Sequence, residues 1–257
     1  MKKSILKVKS NTKLADEIFQ LRLLGDFQKS EYEPGKFLHI KCSDSIHPLL
    51  RRPMSICDIN DAQDELTILY RVEGAGTKLL EEKNPNDDID LLGPLGTSYN
   101  LDVKAGEKVY LVGGGIGIPP LYYLGKELKK KGAVITSFLG YASAKDSFYL
   151  KEFEELGKAH AATVDGSLGH KGFVTDKLDL EFDLLYSCGP TPMFKTLQNL
   201  VPEDKPAYIA MEERMGCGVG ACLACVCKPN QAKFPDKSYF RACKEGPVFA
   251  LHDLEFQ

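Results

Sequence analysis

The chain has 257 residues, enough for between one and two ordinary domains. Apolar residues make up 43% and charged residues 27%, a soluble globular mix that excludes a mostly disordered chain. Lysine plus arginine (33) nearly balances aspartate plus glutamate (36), and a net charge of -3 leaves no broad basic field for nucleic acid. No apolar run approaches the roughly 18–20 residues of a membrane span. Lysines interrupt the apolar residues of Met1–Lys9, so no secretory signal is read and a cytoplasmic location is expected.

The first hundred residues read as strands and turns. Phe19, Leu21 and Leu23 alternate with polar neighbours in Ile18–Leu23, the pattern of a half-buried strand. The Glu33-Pro34-Gly35 turn precedes a second alternating run, Lys36–Lys41, and Glu65–Val72 is a third. Asp88–Leu92 is a fourth, closed by Gly93-Pro94-Leu95-Gly96, with a short helix expected at Thr77–Glu82. Short strands at this spacing predict a small antiparallel β-barrel over residues 1–101.

Near Gly106 the pattern changes to alternating strand and helix. Lys108–Val112 is a continuous apolar run leading into Gly113–Gly117, and a helix is expected from Pro119 to Lys131, stopped by Gly132. Ala133–Leu139 is a second buried strand, Phe148–Leu156 a helix, Phe182–Ser187 a later strand and Pro192–Leu200 a later helix. This alternation predicts a parallel α/β domain over residues 102–206. The fold class is therefore α+β and multidomain. Residues 207–257 are rich in Cys and Gly and too poor in apolar residues for a core of their own, so a cofactor is expected to organise them.

Five of the eight cysteines lie in that last stretch. Cys217, Cys222, Cys225 and Cys243 are spaced C-x4-C-x2-C-x17-C, which matches the plant-type [2Fe–2S] pattern with a distant fourth thiolate. Two irons need two thiolates each, and Gly216, Gly218 and Gly220 let the backbone wrap closely around them. A structural zinc also takes four thiolates, but zinc sites usually come as two C-x2-C knuckles. Cys227, in a C-x-C with Cys225, is read as a neighbour that does not ligate.

Two strand–turn–helix junctions carry nucleotide-binding signals. Gly113, Gly115 and Gly117 would let the backbone approach a pyrophosphate at a helix N-terminus, although Pro120 stands where a third fingerprint glycine is usual. The acidic residue expected about 20 positions on is missing, and Lys145 is the candidate to meet a 2′-phosphate. Cys188-Gly189-Pro190 is the second junction, with Thr191 expected as N-cap and Pro192 in the first turn. In the barrel half, Arg52-Pro53-Met54-Ser55 is read as a flavin contact, and Arg71 to Thr77 as another glycine turn opening a helix.

Taken in order, Arg52–Ser55, Gly74–Thr77, Gly113–Pro120 and Cys188–Pro190 resemble the ferredoxin–NADP reductase superfamily. The tail, Glu212–Cys222 with Cys243–Phe249, is similar to that of the electron-transfer subunits of class 1B dihydroorotate dehydrogenases. The likeness implies an FAD domain, an NAD domain and a [2Fe–2S] domain. It implies that Arg52, Pro53, Met54, Ser55, Leu69, Tyr70, Arg71, Gly76 and Thr77 meet FAD. It also implies cluster ligation by Cys217, Cys222, Cys225 and Cys243, with NAD as the substrate. The partner it implies is a separate FMN-containing catalytic subunit that oxidises dihydroorotate, in a heterotetramer of two copies of each chain. Sister reductases of the same architecture (ferredoxin:NAD(P) oxidoreductases, sulfide dehydrogenases, sulfite reductases) and a zinc-stabilised nucleotide-binding regulator are the alternatives.

Overall fold

A computed structural model describes residues 2–256. Seven strands form an antiparallel sheet in the order β4-β3-β7-β1-β2-β6-β5. They are β1 (Lys2–Ala15), β2 (Ile18–Leu24), β3 (Phe37–Lys41), β4 (Arg52–Ser55), β5 (Asp58–Ile59), β6 (Glu65–Arg71) and β7 (Asp88–Leu95). The sheet curls until β4 packs against β6, making a half-barrel around Leu21, Leu38, Ile40, Ile68 and Leu91. Helix α1 (Ala75–Glu81) lies between β6 and β7, as expected.

β1 has no counterpart among the expected strands. Only Val8 of its fourteen residues is buried, and of the half-buried Ser4, Leu6 and Ser10 on its side only Leu6 is apolar, so the alternation is too thin to mark it. Pairing makes it a strand: Lys2–Lys7 lie along β7 and Lys7–Ala15 along β2, with bulges at Val8/Ser10 and Lys13/Ala15 in the stretch along β2. β7 also runs on through Gly93 to Leu95 instead of turning there. A Cβ on Gly93 would come within 2.5 Å of Leu38, so this glycine marks a tight strand crossing.

The second sheet has the order β11-β10-β9-β8-β12-β13-β16, with β16 (Val248–Ala250) at its edge. Its strands are β8 (Lys108–Gly114), β9 (Val134–Tyr141), β10 (Lys158–Thr163), β11 (His170–Lys171), β12 (Leu184–Cys188) and β13 (Ala207–Ala210), all parallel. Helices α2 (Ile118–Lys130), α3 (Leu150–Leu156) and α4 (Thr191–Leu200) follow β8, β9 and β12. Val109–Val112 and Leu185–Cys188 are buried throughout because both faces of the sheet are covered. The chain order reverses at β8, so the loops after β8 and β12 open side by side at the switch point where such sheets bind ligands. The cap of α4 is Pro190, whose backbone is extended, with Thr191 already inside the helix and no side-chain cap bond; this corrects the expected Thr191 cap. Tyr149 adopts a left-handed conformation, which delays α3 to Leu150.

Beyond β13, regular structure almost ends. β14 (Val226–Cys227) and β15 (Phe240–Arg241) make a two-residue ladder, and β16 (Val248–Ala250) returns antiparallel to β13. Cys225, Cys227, Ala242 and Cys243 are nevertheless buried, in the same core as Phe194, Leu197 and Phe249. Lys126 of α2 reaches Asp58 of β5 at 2.7 and 2.8 Å and pins the two sheets together.

Candidate functional site: two adjoining clefts and a cysteine loop

A cleft of about 690 Å³ runs between the half-barrel and the second sheet. Arg52, Pro53, Met54 and Ser55 of β4 and Leu69, Tyr70 and Arg71 of β6 border it, so seven residues expected to meet FAD are brought together. Gly76 and Thr77 support this wall without bordering it. A Cβ on Gly76 would sit 3.0 Å from Arg52 Nε, so the glycine lets the guanidinium rest on α1. The Thr77 hydroxyl accepts from the backbone N–H groups of Glu73 and Gly74 and caps its own helix. Arg51 is structural, donating to the backbone and side chain of Asp90.

A second cleft of about 680 Å³ opens at the switch point. Gly115 and Gly189 border it. Gly113 and Gly117 act from behind. Gly113 clears Ile118, and a Cβ on Gly117 would meet the Cys188 backbone at 2.4 Å. Only glycine lets the two junction loops touch there. Cys188 itself is buried and borders the first cleft, and burial pushes its thiol well above the usual range. Lys145 does not border the second cleft.

Four residues, Arg71, Glu73, Ile116 and Glu212, border both clefts. Protein surrounds Glu212 although its side chain is open to the clefts. Burial raises its carboxyl, Arg71 beside it pulls the other way, and Glu73 adds to the rise. Sequence reasoning did not assign Met211–Met215 to this wall, nor Phe173–Asp176 to the second cleft. Glu212–Met215 stood inside the tail pattern, but nothing local signals that the chain after β13 folds back across the flavin motif. Phe173, 67% exposed at the cleft edge, carries a weak signal, a large apolar side chain after a glycine.

The cysteine loop starts beside the first cleft. Arg214 and Met215 border that cleft, and Cys217 follows Met215 by two residues. The thiols of the loop stand as two pairs. Cys222 Sγ accepts from the Cys217 N–H at 3.3 Å and lies beside the Cys217 thiol. Cys225 Sγ lies 3.2 Å from Cys243 Sγ. The N–H groups of Val219 and Ala221 point at Cys217 Sγ (3.4 and 3.3 Å), and that of Gly220 at Cys243 Sγ (3.1 Å). Burial opposes ionisation of Cys217, but these donors outweigh it and pull the thiol down to about 6. Burial and the Cys225 thiol push Cys243 up to about 12. Two thiol pairs with N–H donors aimed at sulfur suit a cluster with two irons. Among the described residues, no three His, Cys, Asp or Glu side chains are placed to hold one metal ion. Cys227 lies apart, 4.0 Å from the Cys225 carbonyl oxygen, its thiol pushed up to about 12 by burial and by Glu213.

A half-barrel and a parallel sheet enclosing two continuous clefts, with a paired-thiol loop at the margin, define a reductase of the ferredoxin–NADP reductase type. A solved NADH-dependent reduced ferredoxin-NADP oxidoreductase superposes with a TM-score of 0.82 at 28% identity, over 98% of this chain and 90% of that one. Residues 212–255 match the iron-sulfur cluster binding domain of dihydroorotate dehydrogenase B. The electron transfer subunit of dihydroorotate dehydrogenase B (NAD(+)) from Bacillus pumilus is 52% identical over 99% of this chain and 98% of the relative. Its counterpart from a Geobacillus species is 48% identical over 99% of each. The chain belongs to the family of dihydroorotate dehydrogenase B electron transfer subunits.

Proposed function

We propose that this chain passes electrons from the oxidation of dihydroorotate, carried out on a separate FMN-bearing subunit, through a [2Fe–2S] cluster and FAD to NAD+. A cluster exchanges single electrons, nicotinamide takes a hydride, and a flavin does both, which is the chemistry these groups supply when bound. The observation that carries the reading is continuity. Arg214 and Met215 border the first cleft two or three residues before the first cluster thiol, and Arg71 and Glu212 border both clefts.

In this reading Arg52 neutralises the FAD phosphates while Pro53, Met54, Ser55, Leu69, Tyr70 and Arg71 wall the flavin. Gly115 and Gly189 admit the dinucleotide, with Gly113, Gly117 and Cys188 keeping their loops in contact and Phe173 offering an apolar face. Cys217, Cys222, Cys225 and Cys243 ligate the cluster. Residues 1–101, 102–206 and 207–257 serve as the FAD, NAD and cluster domains, with strands β13 and β16 lent to the NAD sheet. The catalytic partner would dock near the cluster loop, in a heterotetramer of two copies of each chain. Exposed Val219 and Leu223 on that loop support a docking face there. No helix among the described residues is long and apolar enough to cross a membrane.

The test is co-purification from native cells followed by an NAD+ reduction assay. An FMN-containing partner with dihydroorotate-dependent NADH formation is the expected result. A yellow-brown protein that reduces NAD+ with a different partner, inert to dihydroorotate, would move the function to a sister reductase.

A further inference from the structure

His39 is fully buried on the outer face of the half-barrel, and neither ring nitrogen has a hydrogen-bond partner. Its neighbours on β3, Leu38 and Ile40, point into the barrel core, whereas Phe37, on the same face as His39, belongs to the buried cluster that includes Cys225 and Cys243. The His39 backbone pairs with Pro53 of the flavin strand. Its ring meets the cysteine loop, where a Cβ on Gly218 would come within 2.6 Å of Nδ1. Gly218 is also left-handed, at φ +70, so glycine is required there twice over. Burial lowers the ring's pKa, and the backbone of Arg51 and of Cys217 lies close enough to oppose that. A neutral imidazole carries one N–H, and a buried donor left unpaired costs free energy. The ring therefore stands between the flavin strand and the first cluster thiol with a donor to place.

We propose that His39 is a positioning residue for electron transfer: its ring N–H engages the Cys217 backbone carbonyl when the cluster is seated, fixing the cluster loop against the flavin strand and raising the cluster's reduction potential. The ring itself exchanges neither electrons nor protons. A donor dipole beside a cluster favours the reduced state, which carries the extra negative charge. The proposal rests on the assignment of Cys217, Cys222, Cys225 and Cys243 as cluster ligands.

The experiment uses the full-length chain with its flavin and cluster, purified with its partner subunit. The readouts are an EPR-monitored redox titration of the cluster and the rate of cluster-to-flavin electron transfer. His39→Phe keeps the ring's bulk and removes the N–H. The cluster potential should fall, shifting the sharing of an electron about tenfold toward the flavin, equal to about 59 mV for one electron. The EPR line shape should change, and His39→Gln, which restores a donor, should reverse both effects. If His39→Phe does not hold its cluster, His39→Met replaces it in the comparison with His39→Gln. An unmoved potential in a cluster-loaded donor-free variant, or the same shift in His39→Gln, would overturn the proposal. A wild-type chain with no cluster signal at all would instead overturn the ligand assignment.

Discussion

Two glycine-built loops border the first cleft, Gly113–Gly117 through Ile116 and Gly216–Gly220 through the adjacent Met215, and they differ in what holds them. In the first, Gly115 is left-handed at φ +54, while Gly117 has an ordinary φ of -76 and needs its hydrogen because the Cys188 backbone lies against it. That loop is held by two buried strands and the helices over them. In the second, Gly218 is left-handed and the surrounding segment has a two-residue ladder as its nearby regular structure. Cys225, Cys227 and Cys243 are prominent among its buried side chains. The first loop is a packing product that exists before its ligand arrives. On the proposed ligation, the second depends on what its thiols hold.

The largest effect should follow from removing one of those thiols. Cys243→Ser should abolish the visible iron–sulfur absorbance. Hydrogen exchange should then accelerate over residues 212–247 while the amides of β8 and β12 stay protected. Cys227→Ser should keep the absorbance, since Cys227 lies outside the two thiol pairs. The reverse outcome would exchange the roles assigned to these two cysteines. Exchange that accelerates equally in the second sheet would erase the distinction between the loops.

Gly117→Ala probes the other loop. The new methyl would meet the backbone of Cys188 and Gly189 at 2.4–2.5 Å, and neither can retreat as a flexible side chain would. The expected cost is about 3 kcal/mol of stability, the upper range for overpacking, seen in denaturant melts. NADH should bind more weakly, with the cluster absorbance unchanged.

How far the sequence revealed these regions follows the same division. β2, β3, β6 and the strands and helices around α2 were legible because burial on one face or both imposes a period on the residues. The cysteine spacing was legible because two irons restrict which thiolates can share a loop. β1 was not, because its hydrogen bonds come from β2 and β7 while its side chains stay largely in water. Nor was the return of Met211–Met215 to the first cleft, since no local pattern encodes a wall shared with β4 and β6. His39 gave no sign either: a histidine in an alternating strand reads as a solvent-facing residue until the cysteine loop covers it.

Arg52→Met should sharpen the contrast from the flavin side. The lost cation should weaken flavin binding by about 2 kcal/mol, roughly 30-fold, as expected for a hydrogen bond to a charged group. Flavin release measured by fluorescence checks this, and the iron content should be unchanged. Flavin affinity that does not move would remove Arg52 from the phosphate site.

The smallest effect tests the frame of that cleft. Arg51, next to the flavin motif, reaches Asp90 of β7 at 2.7 Å, and Lys3 approaches the same carboxylate at 3.2 Å. Burial works against the charge, but the two cations hold the Asp90 carboxyl below the usual range. A carboxylate with a lowered folded pKa adds stability above its unfolded value, near 3.8 here, and loses it as the pH falls through the folded one. Water screens part of this pair, so Asp90→Asn should cost about 1 kcal/mol at neutral pH. The gap between wild type and Asp90→Asn in denaturant melts should narrow as the pH drops below about 4. A gap that stays constant down to a pH of about 3 would mean that Asp90 acts through the geometry of its hydrogen bonds, which asparagine cannot reproduce, and not through its charge.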